Sequence, residues 1–106
     1  MALSESVEYD KIEIVTIYKS VQVRKATVIK KDGVELTRSF QRYVLECGSL
    51  KGGFKEDGVT PADDADDLVD TDISAEPTEV QGICNVVWTT DVKAAWKTYL
   101  IETKPL

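Results

Sequence analysis

Residues 63–72 contain six aspartates, and this many carboxylates close together in the sequence could hold a divalent cation. They are Asp63, Asp64, Asp66, Asp67, Asp70 and Asp72. Hard cations such as Ca²⁺ take several oxygen ligands at once, and a cation held in this way could serve an enzyme or a ligand-binding protein. A calcium loop that starts at Asp70 would need glycine where Ala75 stands and glutamate where Gln81 stands. The spacing therefore favours a solvated, flexible loop over a metal site.

Arg38 and Arg42 are candidate ligands for an anion, because residues four apart in a strand point to the same side. The rise of a strand separates them by about 13 Å, which is too wide for both to grip one phosphate. Each could instead cover apolar surface with its stem and keep its charged end in water. We treat the pair as a weak anion site.

Several common chemistries are excluded by composition. The chain has no histidine, which excludes nucleophiles activated by histidine and removes imidazole as a metal ligand. Cys47 and Cys84 lie far apart in the sequence, and we expect both to be reduced because no export signal precedes them. We expect no catalytic residue and no cofactor, and the chain is more typical of a non-enzymatic protein than of an enzyme.

A β-hairpin is the strongest local prediction, and it centres on Lys31, Asp32 and Gly33. Aspartate tolerates turn conformations and glycine takes positive φ without strain, which are the properties that a tight hairpin needs. The flanking runs, at about 21–30 and 34–45, are rich in β-branched and aromatic residues. A similar run at about 8–18 predicts an earlier strand, and strands this close in sequence pair antiparallel.

The strand at 34–45 alternates apolar and polar residues, which predicts two different faces. One face would carry Val34, Leu36, Phe40 and Val44, interrupted by Arg38 and Arg42. The opposite face would carry Glu35, Thr37, Ser39, Gln41 and Tyr43.

The last third of the chain has the period of an amphipathic helix. The apolar set is Val80, Ile83, Cys84, Val87 and Trp88, and then Val92, Ala95, Trp96, Tyr99 and Leu100. Both sets match the i, i+3, i+4, i+7, i+8 pattern and predict helices at about 75–88 and 91–102. Ser74 suits the N-cap of the first helix, and Pro77 is tolerated in its first turn. An acidic loop at 48–74 would precede them.

These elements predict an α+β fold in one domain over residues 1–106. Three strands would form an antiparallel meander, with two C-terminal amphipathic helices packed on one face. No apolar run reaches the length of a membrane span, so we expect a soluble protein without a membrane partner.

The net charge of −6 comes from a single stretch of the chain. Residues 51–74 contain two basic and eight acidic residues, whereas the segments before and after this stretch are nearly neutral. Nucleic-acid binding requires a basic stripe, and the sequence contains none. We expect no nucleic-acid partner.

Two segments carry a family resemblance. They are VQVRKATVIKKDGVELTRSFQRYV at 21–44 and VQGICNVVWTTDVKAA at 80–95. This chain resembles small uncharacterised proteins of tailed phages, notably phages of marine cyanobacteria. In that family the strand after the Asp-Gly turn reads Ser-Phe-His-Arg-His, whereas here Gln41 and Tyr43 replace both histidines. The resemblance implies a phage origin and supplies no activity.

A three-stranded sheet with helices on one face leaves two open edges and a second face that carries apolar residues. We therefore expect a structural or interaction protein of a phage that acts as a homo-oligomer, and a dimer is the first oligomer that we expect. It would reside in the host cytoplasm or the virion, and another phage or host protein could also be a partner. The alternative is a divalent-cation-dependent enzyme or ligand-binding protein that uses the acidic loop at 63–72.

Overall fold

The computed structural model describes residues 2–104, which group into two compact units. The first unit contains Val21–Leu45 and the chain up to Val15. The second contains Thr16–Ser20 and the chain from Glu46 onward. The fold is α+β, as predicted: a three-stranded antiparallel sheet is followed by two C-terminal helices.

The sheet consists of β1 (Leu3–Val15), β2 (Ser20–Lys31) and β3 (Val34–Leu45), with β2 in the middle. β1 begins and ends earlier than the predicted 8–18. It stops at Val15 because Thr16 and Lys19 adopt positive φ, at 67° and 54°, and form a turn. Ile17 therefore lies in that turn, where it is largely exposed.

The hairpin between β2 and β3 is built as the sequence predicts. Asp32 and Gly33 both have positive φ, at 52° and 83°, which is the conformation of a two-residue type I′ turn. The turn is also tied to the start of β1. The backbone N–H of Asp32 donates to the carbonyl of Ala2 at 2.8 Å, and the N–H of Ala2 donates to the Asp32 carboxylate at 3.0 Å.

The register of β2 against β3 is regular from Val21 opposite Leu45 to Ile29 opposite Thr37. It then shifts by one residue, so that Lys30 faces Glu35 and Leu36 has no partner in the ladder. Such a β-bulge reverses the alternation of side chains beyond it. The prediction that Glu35 lies on the face opposite Arg38 is therefore wrong, since the two side chains form an ion pair.

The second unit contains α1 (Thr78–Val87) and α2 (Thr90–Thr103). α1 begins later than predicted, because Pro77 rather than Ser74 occupies the N-cap position. Ser74 lies before the helix, where its N–H donates to Asp72. The hydroxyl of Thr89 caps α2 by accepting from the N–H of Val92 at 3.2 Å. Within residues 2–104, no helix is long and apolar enough to span a membrane.

The segment predicted as a flexible acidic loop contains a second small sheet. β4 (Gly48–Leu50) pairs antiparallel with β5 (Leu68–Asp70), and an isolated bridge joins Phe54 to Pro61. Gly48 is required at this pairing, because a Cβ there would lie only 2.7 Å from the carbonyl oxygen of Val69.

Two tryptophans fasten the helices to backbone of the same unit. The Trp88 indole donates to the carbonyl of Lys19, and the Trp96 indole donates to the carbonyl of Gly48, both at 2.8 Å. Trp88 is 8% exposed and lies in the core of the unit with Cys47, Val80 and Cys84. No residue of α2 is fully buried, so its predicted apolar stripe is only partly covered.

Gly33 and Gly82 give a matched pair of tests, because an added Cβ would meet nothing within 4 Å at either position. Gly33→Ala should lower the free energy of unfolding by about 1 kcal/mol, since alanine is strained at a φ of 83°. Gly82→Ala, inside α1, should raise it by up to about 1 kcal/mol through helix propensity. Urea unfolding measures both, and shifts of the same sign would contradict the turn geometry.

Acrylamide quenching should distinguish the two tryptophans. Trp96→Phe leaves Trp88 as the emitter, and Trp88→Phe leaves Trp96, which is partly exposed. We expect the Trp96→Phe protein to be quenched less than the wild type and the Trp88→Phe protein to be quenched more. Equal quenching of the wild type and the Trp96→Phe protein would contradict the burial of Trp88.

Candidate interaction surface on the three-stranded sheet

A network of arginines and carboxylates lies on one face of the sheet. Arg24 of β2 grips Asp10 of β1 through two hydrogen bonds of 2.9 Å, the bidentate geometry that makes such pairs strong. Arg38 of β3 bonds Glu8 at 2.9 Å and Glu35 at 2.8 Å. Its guanidinium also lies 3.5 Å from Asp10, which links the two groups.

The network shifts the pKa values of its members in the directions expected of ion pairs. The hydrogen bonds from Arg24 lower the pKa of Asp10, and those from Arg38 lower the pKa of Glu35. The same bonds raise the pKa values of both arginines. Asp10, Glu35 and the two arginines are therefore charged near neutral pH.

The two candidate anion ligands, Arg38 and Arg42, have different surroundings in the structure. Arg38 is engaged by its carboxylates. Arg42 lies directly opposite Arg24 across the strand pair, and like charges in that position repel each other. No carboxylate among residues 2–104 lies within ion-pair distance of Arg42. Its Cζ atom lies 5.9 Å from the centre of the Phe40 ring, over which Arg24 also lies, at 4.5 Å.

Arg42 borders a groove of about 290 Å³ in the sheet unit. The charged residues that line it are Lys11, Glu13, Arg24 and Arg42. Lys11 and Glu13 pair at 3.7 Å, and both side chains are about half exposed, so water weakens this pair. The groove therefore has one cation, Arg42, without a carboxylate of its own among the described residues.

The two outer strands also expose large apolar side chains. They are Leu3, Val7 and Ile14 of β1 and Val34, Leu36, Phe40 and Val44 of β3. Val21, Val23 and Val28 of the middle strand are fully buried. Within the three-stranded sheet, the exposed large apolar side chains therefore lie on the edge strands.

The acidic cluster does not assemble as a cation site. Its carboxylates pair separately with lysines, Asp63 with Lys55, Asp64 with Lys51, Asp66 with Lys104 and Asp70 with Lys93. Asp72 accepts from the N–H of Ser74, and Asp67 lies exposed. Within residues 2–104, no three acidic or cysteine side chains are placed to hold one metal ion.

Cys47 and Cys84 are free thiols in the core of the second unit. Burial raises the pKa of both, which keeps them protonated near neutral pH and lowers their reactivity.

Sequence reasoning missed Glu8, Asp10 and Arg24 as members of the surface. The available signal was the charge of the strands, because opposite charges on neighbouring antiparallel strands tend to pair. Using that signal requires knowing which residues of β1 and β2 face each other. The turn at Thr16–Lys19, which the sequence did not predict, changes that alignment.

Comparisons of the chain with protein-family models, with curated proteins and with solved structures gave no match. The surface must therefore be interpreted from its own geometry.

The Asp10–Arg24 pair should make stability depend on pH. Because the folded pKa of Asp10 lies below its ordinary value of 3.8, the pair stabilises the fold above about pH 4. This contribution is lost as the pH falls through the folded pKa. Asp10→Asn should therefore lower the urea midpoint at pH 7, and the difference from wild type should shrink below pH 4.

Glu102→Gln is the matched control for this experiment, since Glu102 lies exposed on α2 and makes no ion pair among the described residues. It should leave the midpoint nearly unchanged at both pH values. A difference between wild type and Asp10→Asn that stayed constant down to pH 2.5 would contradict the role of the pair.

Proposed function

We propose that this chain is a non-enzymatic structural or interaction protein that self-associates through its three-stranded sheet. The observation that carries the proposal is the set of exposed apolar residues on β1 and β3, the two outer strands. Edge strands with exposed apolar side chains and unpaired backbone groups are sites where another strand adds. Burial of that apolar area favours association by about 25 cal/mol per Å².

A phage origin is part of the proposal and depends on the resemblance of residues 21–44 and 80–95. A small protein that assembles through a sheet is compatible with a place in a virion or with a regulatory complex in the host cytoplasm. The partner that we propose first is a second copy of the chain, in a dimer or a larger assembly.

The alternative, a cation-dependent enzyme that uses residues 63–72, has less support. Four of the six aspartates are engaged by lysines in separate ion pairs. A cation would have to displace several lysines at once.

Light scattering coupled to size-exclusion chromatography tests self-association. At micromolar concentration we expect a mass of at least twice the 11.8 kDa of one chain. Val34→Thr with Val44→Thr should weaken the assembly, because the exposed apolar area falls while side-chain shape is kept. Val59→Thr is the matched control: Val59 is also exposed but lies outside the sheet. A mass of 11.8 kDa at all concentrations would overturn the proposal.

A further inference from the structure

We propose that the open edge of β3 in one copy pairs with the open edge of β1 in a second copy, and that a β1 carboxylate of the second copy binds Arg42 of the first. This inference rests on the proposed self-association and names its interface. The partner is a second copy of this chain, and the chemistry is strand pairing between a basic edge and an acidic edge.

The first observation is that the two edges carry opposite charge. β1 contains four acidic residues and one lysine, whereas β3 contains two arginines and one glutamate. Both strands are outer strands of the sheet and are 13 and 12 residues long, so each offers an edge of about 40 Å. Complementary charge on two such edges selects this pair and orients it.

The second observation is that Arg42 lacks what the other two arginines have. Arg24 and Arg38 each hold β1 carboxylates of their own chain. Arg42 lies opposite Arg24 and beside the groove, with no carboxylate in ion-pair distance among the described residues. A carboxylate from outside the chain would relieve the Arg24–Arg42 repulsion and match the guanidinium fork.

The available carboxylates on β1 are those that the chain does not already use. Glu5 makes no ion pair among residues 2–104, and Glu13 makes only the long, exposed contact with Lys11. Glu8 and Asp10 are committed to Arg24 and Arg38. Glu5 and Glu13 are therefore the two candidates in the second copy, and one of them binds Arg42, because the rise of the strand separates them by about 27 Å.

The same charges disfavour the two alternatives in which like edges meet. Two β1 edges would bring together Glu5 and Glu13 of both copies, and two β3 edges would bring together Arg42 of both copies. Pairing of unlike edges uses a different surface on each partner, so each added copy leaves one edge of each kind free. Growth continues until the ends meet in a ring or the chain of subunits becomes a filament.

Charge reversal with complementation tests the inference. Arg42→Glu should weaken self-association by at least about tenfold, because glutamate would then face the β1 carboxylates. Glu5→Lys with Glu13→Lys should do the same from the other side. An equimolar mixture of the two proteins should assemble again, because each β3 edge then meets a β1 edge of opposite charge in an alternating order.

Lys97→Glu on α2 is the matched control for Arg42→Glu, since both change the charge by −2. Glu102→Lys on α2 makes one of the two charge changes of the Glu5→Lys, Glu13→Lys protein, and both controls should leave the assembly intact. Circular dichroism and the restored assembly of the mixture both report that the variants are folded. If Arg42→Glu were unfolded, Arg42→Gln should still give a partial loss of association.

Three outcomes would overturn the inference, and only one would also remove the proposed function. If the wild-type protein is oligomeric and none of the charge reversals weakens its assembly, the proposed self-association stands but the β1 and β3 edges are not its interface. If Arg42→Glu loses assembly and the equimolar mixture does not restore it, Arg42 binds a group other than a β1 carboxylate. A wild-type protein that is monomeric at all concentrations rejects both proposals.

Discussion

The two-residue turn at Asp32 and Gly33 determines which residues of β2 and β3 face each other. Both residues take positive φ, which matches the twist of the paired strands and leaves no slack in the connection. Side chains alternate along a strand, so a register moved by one residue would transfer every side chain to the other face. The turn pairs Lys31 with Val34 and Lys30 with Glu35. Beyond the one-residue shift at Leu36, the ladder places Arg24 opposite Arg42, and Ala26 and Val28 are buried.

The β-bulge at Leu36 is the second constraint, and it decides how the arginines are neutralised. By inserting one residue, it turns Glu35 toward Arg38, which thereby gains a partner on its own strand in addition to Glu8. No comparable device serves Arg42. The repulsion between Arg24 and Arg42 is therefore offset on one side only, by the bidentate contact of Arg24 with Asp10. Among residues 2–104, Arg42 is the arginine of β3 that has no carboxylate partner, which is the basis for proposing one from a second copy.

The sequence was sufficient for the features that depend on local chemistry. The Asp-Gly turn and the two helical apolar patterns predicted elements that the structure contains. The sequence was insufficient for the features that contacts between distant residues determine. A bulge leaves no mark in composition, so the side of Glu35 was wrong. We predicted the acidic stretch as a flexible loop, yet β4 and β5 pair there, and the Trp96 indole donates to Gly48 of β4. α1 starts at Thr78 rather than near Ser74: Pro77 is the N-cap, and Ser74 lies in the turn before it.

Charge and apolar area on the edge strands act on different aspects of association. The exposed apolar residues favour contact with any extended strand, since burial of apolar area has no direction. In the assembly that we propose, the acidic edge of β1 and the basic edge of β3 would then decide which contacts form, because like edges would repel each other and unlike edges would attract each other. Salt shortens the range of these charges from about 10 Å at 0.1 M to about 3 Å at 1 M, while apolar burial is retained. High ionic strength should therefore remove the selectivity between edges before it removes association itself, so that ordered assembly requires moderate salt.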